Sequence, residues 1–178
     1  MSHAAVNGKP TLDENEYFPI DADESVENSS GLNPWSINLY DDEVVRIHQT
    51  KGIIGMIFYE PVLGGVKRRQ GKLFWSKEKW AELFGDQIEQ IVKAVYNTGA
   101  ADKNEVWNRI CIGSDYDGQI NPVDKFAVAD QLPEFMVSLR NTLNQSRFDP
   151  YRNKGDVPDL ANKICFTNVV EFMRTYFK

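Results

Sequence analysis

The pattern of apolar and polar positions separates two kinds of segment. Over residues 77–97, Trp80, Leu83, Phe84, Ile88, Ile91, Val92 and Val95 recur every three or four positions and form one helical stripe. Ser76 stands where an N-cap belongs, and Gly99 follows the end. Over 129–144 the stripe is Leu132, Phe135, Met136, Leu139 and Leu143. A shorter helix is predicted from Asp41 or Asp42, both good caps, to about residue 51, with Val44, Val45, Ile47 and His48 near one face and Gly52 ending it. A polar loop over 145–157 leads to a helical region over 158–177. Two further stretches, 53–58 and 109–113, are short and almost wholly apolar. That is how a strand covered on both faces of a parallel sheet reads. The order helix, strand, helix, strand, helix predicts an α/β fold.

Length adds one constraint: 178 residues suit a single domain better than two. The division expected within it is a loop-rich part over 1–40 and βα units over 41–178. No apolar run approaches the roughly 18 residues of a membrane-spanning helix. The N-terminus shows no basic start followed by an apolar stretch, so no secretory signal is expected. The net charge of −6 is concentrated: residues 11–30 hold seven acids and no Lys or Arg, which leaves +1 for everything else. A nearly neutral body offers no basic face for nucleic acid. The acidic segment lacks the spacing and turn glycine of a calcium loop and reads as a solvated surface loop. The two cysteines, Cys111 and Cys165, are too few for a disulfide scaffold and sit in apolar surroundings.

In parallel α/β folds chemistry gathers at the carboxyl ends of the strands. The informative residues are therefore those just past Phe58 and just past Gly113. After Gly113 come Asp115 and Asp117, followed by Gly118. Two carboxylates at a strand end suit metal binding or general-base work; the same four residues also read as an Asx-turn closing a loop. His48 reads as a packed helix residue and His3 as a tail residue. The sequence has no Gly-x-Ser-x-Gly elbow, P-loop or dinucleotide fingerprint, and Cys111 has no local activating base.

Residues 112–118, Ile-Gly-Ser-Asp-Tyr-Asp-Gly, resemble the Gly-Ser/Gly-Asp-Phe-Asp-Gly stretch of the membrane dipeptidase (renal dipeptidase) family, one of the metal-dependent amidohydrolase barrels. Three further stretches follow the family's order. Residues 1–4 resemble its Ser-His-Ser segment at the end of strand six, 38–45 its Asn-x-x-Asp-Asp/Glu helix start, and 52–58 its seventh strand. Asn168 to Phe172 stand where the family has Asn-x-x-Arg-hydrophobic in its last helix. The resemblance implies that this chain is the C-terminal part of a (β/α)8 TIM-type barrel, a fold of about 250 residues. It further implies a zinc-dependent hydrolase acting on a small peptide or amide by metal-activated water. His3 and Asp115 are carried over as metal ligands, Asp115 also as the group handling the proton, and Asp117 as a loop-shaping acid beside them. The family's His-x-Asp pair, bridging Glu and further His have no counterpart here, so weak or absent zinc and little activity are expected of this chain alone. The place of the family's substrate-carboxylate arginine falls near Ser36 and Ile37. Arg68 and Arg69 stand as replacements on the loop after strand seven, with a solvated basic loop as the other reading. A partial barrel also leaves strand edges open to self-association. The alternative is a non-catalytic binding or structural protein derived from a barrel end.

Overall fold

The computed structural model describes residues 4–22, 31–118, 122–152 and 154–177. It is a mixed α/β arrangement dominated by helices around a small parallel two-stranded sheet. Strands β1 (Ile54–Met56) and β2 (Ile110–Ile112) lie inside the two apolar runs and pair in parallel, Ile54 against Ile110 and Met56 against Ile112. The ladder continues one step further, because Gly113 donates its N–H to the Met56 carbonyl at 2.9 Å.

A third parallel segment joins them. Ala4 bridges to Met56, its N–H bonding the Gly55 carbonyl at 2.8 Å while its own carbonyl accepts from Ile57 at 3.0 Å. Val6 in turn bridges in parallel to Leu39. β1 therefore has a neighbour on each side, which corrects the expectation that both strands stand with open edges. On the outer side of β2, the Asn168 side-chain amide donates to the carbonyls of Ile110 at 2.7 Å and Trp107 at 2.8 Å. Satisfying such buried carbonyls is the condition for leaving a strand edge without a partner strand.

Helix α1 spans Asp41–Gln49 and a short α2 spans Glu60–Leu63. Helix α3 (Lys77–Tyr96) follows, capped as predicted by the Ser76 hydroxyl, which accepts from the Lys79 N–H at 3.3 Å. All seven residues of its predicted stripe are buried. α3 packs against α1 and against α4 (Leu132–Leu143), which a 3-10 turn, Ala129–Gln131, leads into. Ile54 and Met56 of β1, and Phe58 two residues past it, are buried in one core with the α3 stripe. The Phe58 ring there meets Phe84 of α3 at 4.5 Å and Phe135 of α4 at 4.9 Å between centroids. Each fully buried ring contributes about 1.5–3 kcal/mol. The cluster therefore holds the end of β1 against both helices.

Several local expectations are corrected. α1 is not capped by Asp41 or Asp42: Tyr40 is the N-cap residue, and the Glu43 carboxylate accepts its N–H at 3.0 Å. The acids instead fill the first turn, where they favour the positive end of the helix dipole. The loop after β1 is not irregular throughout, for it contains α2 and a 3-10 turn, Lys72–Phe74. β2 starts at Ile110 because the preceding residues, Lys103–Arg109, are wound as 3-10 helix. The C-terminal helical region is three pieces, α5 (Val157–Asn162), a π-helical turn (Lys163–Thr167) and α6 (Asn168–Tyr176). Among the described residues no helix is long and apolar enough to cross a membrane.

Candidate functional site at the carboxyl end of the sheet

The residues after β2 turn back over the end of β1. Phe58 donates its N–H to the Ser114 carbonyl at 3.3 Å, and Val123 bonds the Phe58 carbonyl at 3.0 Å. Between them lies the Asp-Tyr-Asp-Gly turn, closed by the Gly118 N–H on the Asp115 carbonyl at 3.0 Å. Asp115 adopts φ 55, in the left-handed region that Asp tolerates better than most side chains. A Cβ at position 118 would fall 2.5 Å from Asp115 Oδ1. Glycine is therefore what allows the carboxylate to fold back over the turn. Asp115 is half-buried, while Asp117 is exposed.

Tyr116 anchors this turn. Its ring meets Phe58 edge-on at 5.5 Å. Burial, with the neighbouring Cys165 thiol adding to it, pushes the phenol up to about 12. It is a neutral donor at physiological pH, and its buried Oη has no hydrogen-bond partner among the described residues.

The rim around the other strand ends is fixed by side-chain amides. Val6 would continue the ladder beside β1, but Gln87 of α3 takes its place: Oε1 accepts the Val6 N–H at 2.6 Å, and Nε2 donates to Leu63 O at 2.7 Å. Asn33 donates to the carbonyls of Ile20 (2.9 Å) and Pro61 (2.5 Å), and Asn38 to those of Asn33 (3.1 Å) and Val62 (3.2 Å). Asn7 donates to Asn38 O at 3.1 Å. These buried amides replace strand pairing with a fixed network where the backbone is irregular. Only Gln87 carries a sequence signal, since it falls on the α3 stripe beside Phe84 and Ile88.

Glu60, two residues past Phe58, is fully buried. Its Oε1 accepts from Arg69 Nη1 at 3.3 Å and from Lys72 Nζ, whereas Oε2 has no partner among the described residues. Arg69 Nε also donates to the Gly64 carbonyl at 2.8 Å. Arg68 grips Asp86 through Nε at 2.9 Å and Nη2 at 2.8 Å, while Arg147 Nη1 binds the other Asp86 oxygen at 2.5 Å. The solvated basic loop is thus corrected: the two arginine side chains are 21% and 15% exposed and already hold carboxylates of this chain.

His3, the second expected metal ligand, lies outside the described residues, as does 23–30 of the acidic segment. The rest of that segment, as far as Asp21, is largely exposed. His48 is buried in α1 with Nε2 3.4 Å from Asp102 Oδ1, at the start of the 3-10 stretch that precedes β2. Cys111 is buried in β2, and burial pushes its thiol up to about 11. Among the described residues no three or more His, Cys, Asp or Glu side chains cluster in a way that holds a metal ion. Comparison with protein-family models, with curated proteins and with solved structures gives no match to this chain.

Proposed function

We propose that the chain is the C-terminal part of a dipeptidase-like (β/α)8 hydrolase, supplying the ends of barrel strands six, seven and eight to a site that cleaves a small amide or dipeptide bond. The observation that supports this best is an ordered set of neighbours. Residues 4–6, β1 and β2 lie side by side in chain order, all parallel, with α1 and α3 between successive members. Strand following strand with a helix between is the barrel arrangement. The third member runs directly into Asp115, held in a strained left-handed conformation.

Within that reading Asp115 is the acid of the site, carried on a turn that Tyr116 anchors against Phe58 and that Gly118 allows. Zinc, when bound in such an enzyme, supplies a water of lowered pKa and polarises the carbonyl. Catalytic zinc takes three protein ligands and water. This chain offers His3 and Asp115, so the residues present do not complete a zinc site, and the remaining ligands belong to strands outside it.

The test begins with the coding sequence upstream of Met1. An open frame encoding a strand followed by His-x-Asp is expected; an in-frame stop codon before any such motif overturns the reading. In the joined protein, Asp115→Asn should lower kcat on small dipeptides by about a hundredfold or more. Unchanged kcat would remove Asp115 from the site.

A further inference from the structure

Helix α6 and the π-helical turn before it carry an apolar face on the outside of the molecule. Their inner face is fixed: Ile164 and Asn168 are buried, and the Asn168 amide holds the carbonyls of Trp107 and Ile110 at 2.8 and 2.7 Å. On the far side stand Phe166, Val170, Met173 and Phe177, separated by four, three and four positions. Phe166 is 62% exposed, Met173 47% and Phe177 67%, and Val170 is half-buried between them. Phe177 closes the last turn, donating its N–H to the Met173 carbonyl at 2.9 Å. Large apolar side chains in a row on a surface mark a site of association. Alternating steps of four and three are the spacing of a helix whose side chains pack between those of a second helix.

We infer that this stripe is the interface between two copies of the chain, which pair their α6 helices antiparallel about a two-fold axis passing between residues 171 and 172. The stripe is complementary to itself in that arrangement. Phe166 faces the partner's Phe177, and Val170 faces the partner's Met173, so every layer holds one apolar side chain from each copy. The flanks sort in the same way. Val169 and Tyr176 line one side and meet the partner's Tyr176 and Val169, while Thr167 and Arg174 line the other and meet the partner's Arg174 and Thr167. No like charges stand directly opposite one another, and Glu171 falls off the stripe. A parallel pair would instead lay Arg174 against the partner's Val169 and align the two helix dipoles. The antiparallel contact is the same patch on both copies, so it closes at two. A pair of helices about 20 Å long lies at or below the roughly 1,200 Å² at which standard interfaces begin, which makes the dimer a weak one, with Kd in the micromolar range. The inference stands apart from the hydrolase reading and uses none of its residues.

Sedimentation equilibrium of the full chain, from micromolar to millimolar concentration, should show monomer exchanging with dimer. Met173→Glu and Val170→Lys should each weaken the dimer by about tenfold or more, because each buries an unpaired charge twice in every pair. Mixing the two variants should restore association to within about threefold of the original, since the mixed pair sets the introduced lysine of one copy against the introduced glutamate of the other and leaves the second layer as it was. A parallel pair would show no such rescue, because residue 170 would then face its own counterpart. Phe166→Glu and Phe177→Lys, both at largely exposed positions, repeat the experiment in the outer layers and should behave alike; circular dichroism checks that each variant is folded. A chain that stays monomeric at millimolar concentration, a dimer that none of these substitutions weakens, or folded variants whose mixtures stay monomeric would each overturn the inference.

Discussion

Gly113 is the position where the structure permits the sharpest wager. It ends β2, donates to the Met56 carbonyl at 2.9 Å, and leads directly into Ser114 and Asp115. A Cβ placed on it would lie 3.0 Å from both the carbonyl carbon and the oxygen of Gly55, and 3.1 Å from the Gly55 Cα. These are backbone atoms of the neighbouring strand, so no side chain can rotate away to make room. Gly113→Ala must push the two strand ends apart and stretch the last ladder bond. Overpacking of this kind costs about 1–3 kcal/mol. Alanine recovers up to about 1 kcal/mol by restricting the unfolded chain. The net expectation is a loss of about 1–2 kcal/mol, which lowers Tm by about 2–8 °C in a domain of this size. Urea unfolding followed by circular dichroism measures it, with Gly155→Ala as the control. Gly155 is exposed with nothing within 4 Å of an added Cβ, so its variant should stay within about 0.5 kcal/mol of the original. If Gly113→Ala is as stable as that control, the close approach of the two strand ends is wrong, and with it the placement of Asp115.

Asn168→Ala should cost about 2–3 kcal/mol in the same assay, because the buried carbonyls of Ile110 and Trp107 lose their donor together; a loss below about 0.5 kcal/mol would mean that water or another group reaches the edge of β2. Burial raises the Cys111 thiol from its usual value near 9 to about 11 and Cys165 to about 12, so at pH 8 their thiolate fractions fall about a hundredfold and a thousandfold. Native iodoacetamide labelling should be slower than in urea by at least these factors, and equal rates would refute the burial. The sign of the linkage follows: a folded pKa above the unfolded one stabilises fully at neutral pH, and that contribution drains away as pH rises from about 9 through 11 and 12.

Much of the helical framework was legible because its signal is local. The α3 stripe from Trp80 to Val95 is packed as its spacing predicts, and Ser76 caps where a cap was expected. The parallel pairing of β1 and β2 follows from two unbroken apolar runs joined by a helix, since such runs must be covered on both faces. Residues 4–6 left no trace of their strand role in the apolar pattern, since three residues are too few for any period to register, and only the resemblance at 1–4 pointed to a strand end there. The rim resisted for another reason. Asn7, Asn33 and Asn38 look like loop residues in sequence, and only the fold shows them buried and bonded to distant carbonyls. Arg68 and Arg69 read as a solvated basic patch because Asp86 and Glu60, the acids that bind them, are nine or more residues away. The Asp-Tyr-Asp-Gly turn was open to two readings, and the geometry supplies the turn in full; what Asp115 does chemically rests on the resemblance.

Zinc titration of the purified chain, by calorimetry, tests the central claim most directly, using His3→Ala, Asp115→Asn and the double variant. If His3 and Asp115 stand on one rim of an incomplete barrel, the original chain binds zinc weakly and loses it on dialysis, having two protein ligands where catalytic zinc takes three. Each single variant should weaken binding by about tenfold or more, and the double variant should lose little beyond either one, as expected for two ligands of a single ion. Stoichiometric zinc that survives dialysis, or weak binding indifferent to both substitutions, would contradict the account.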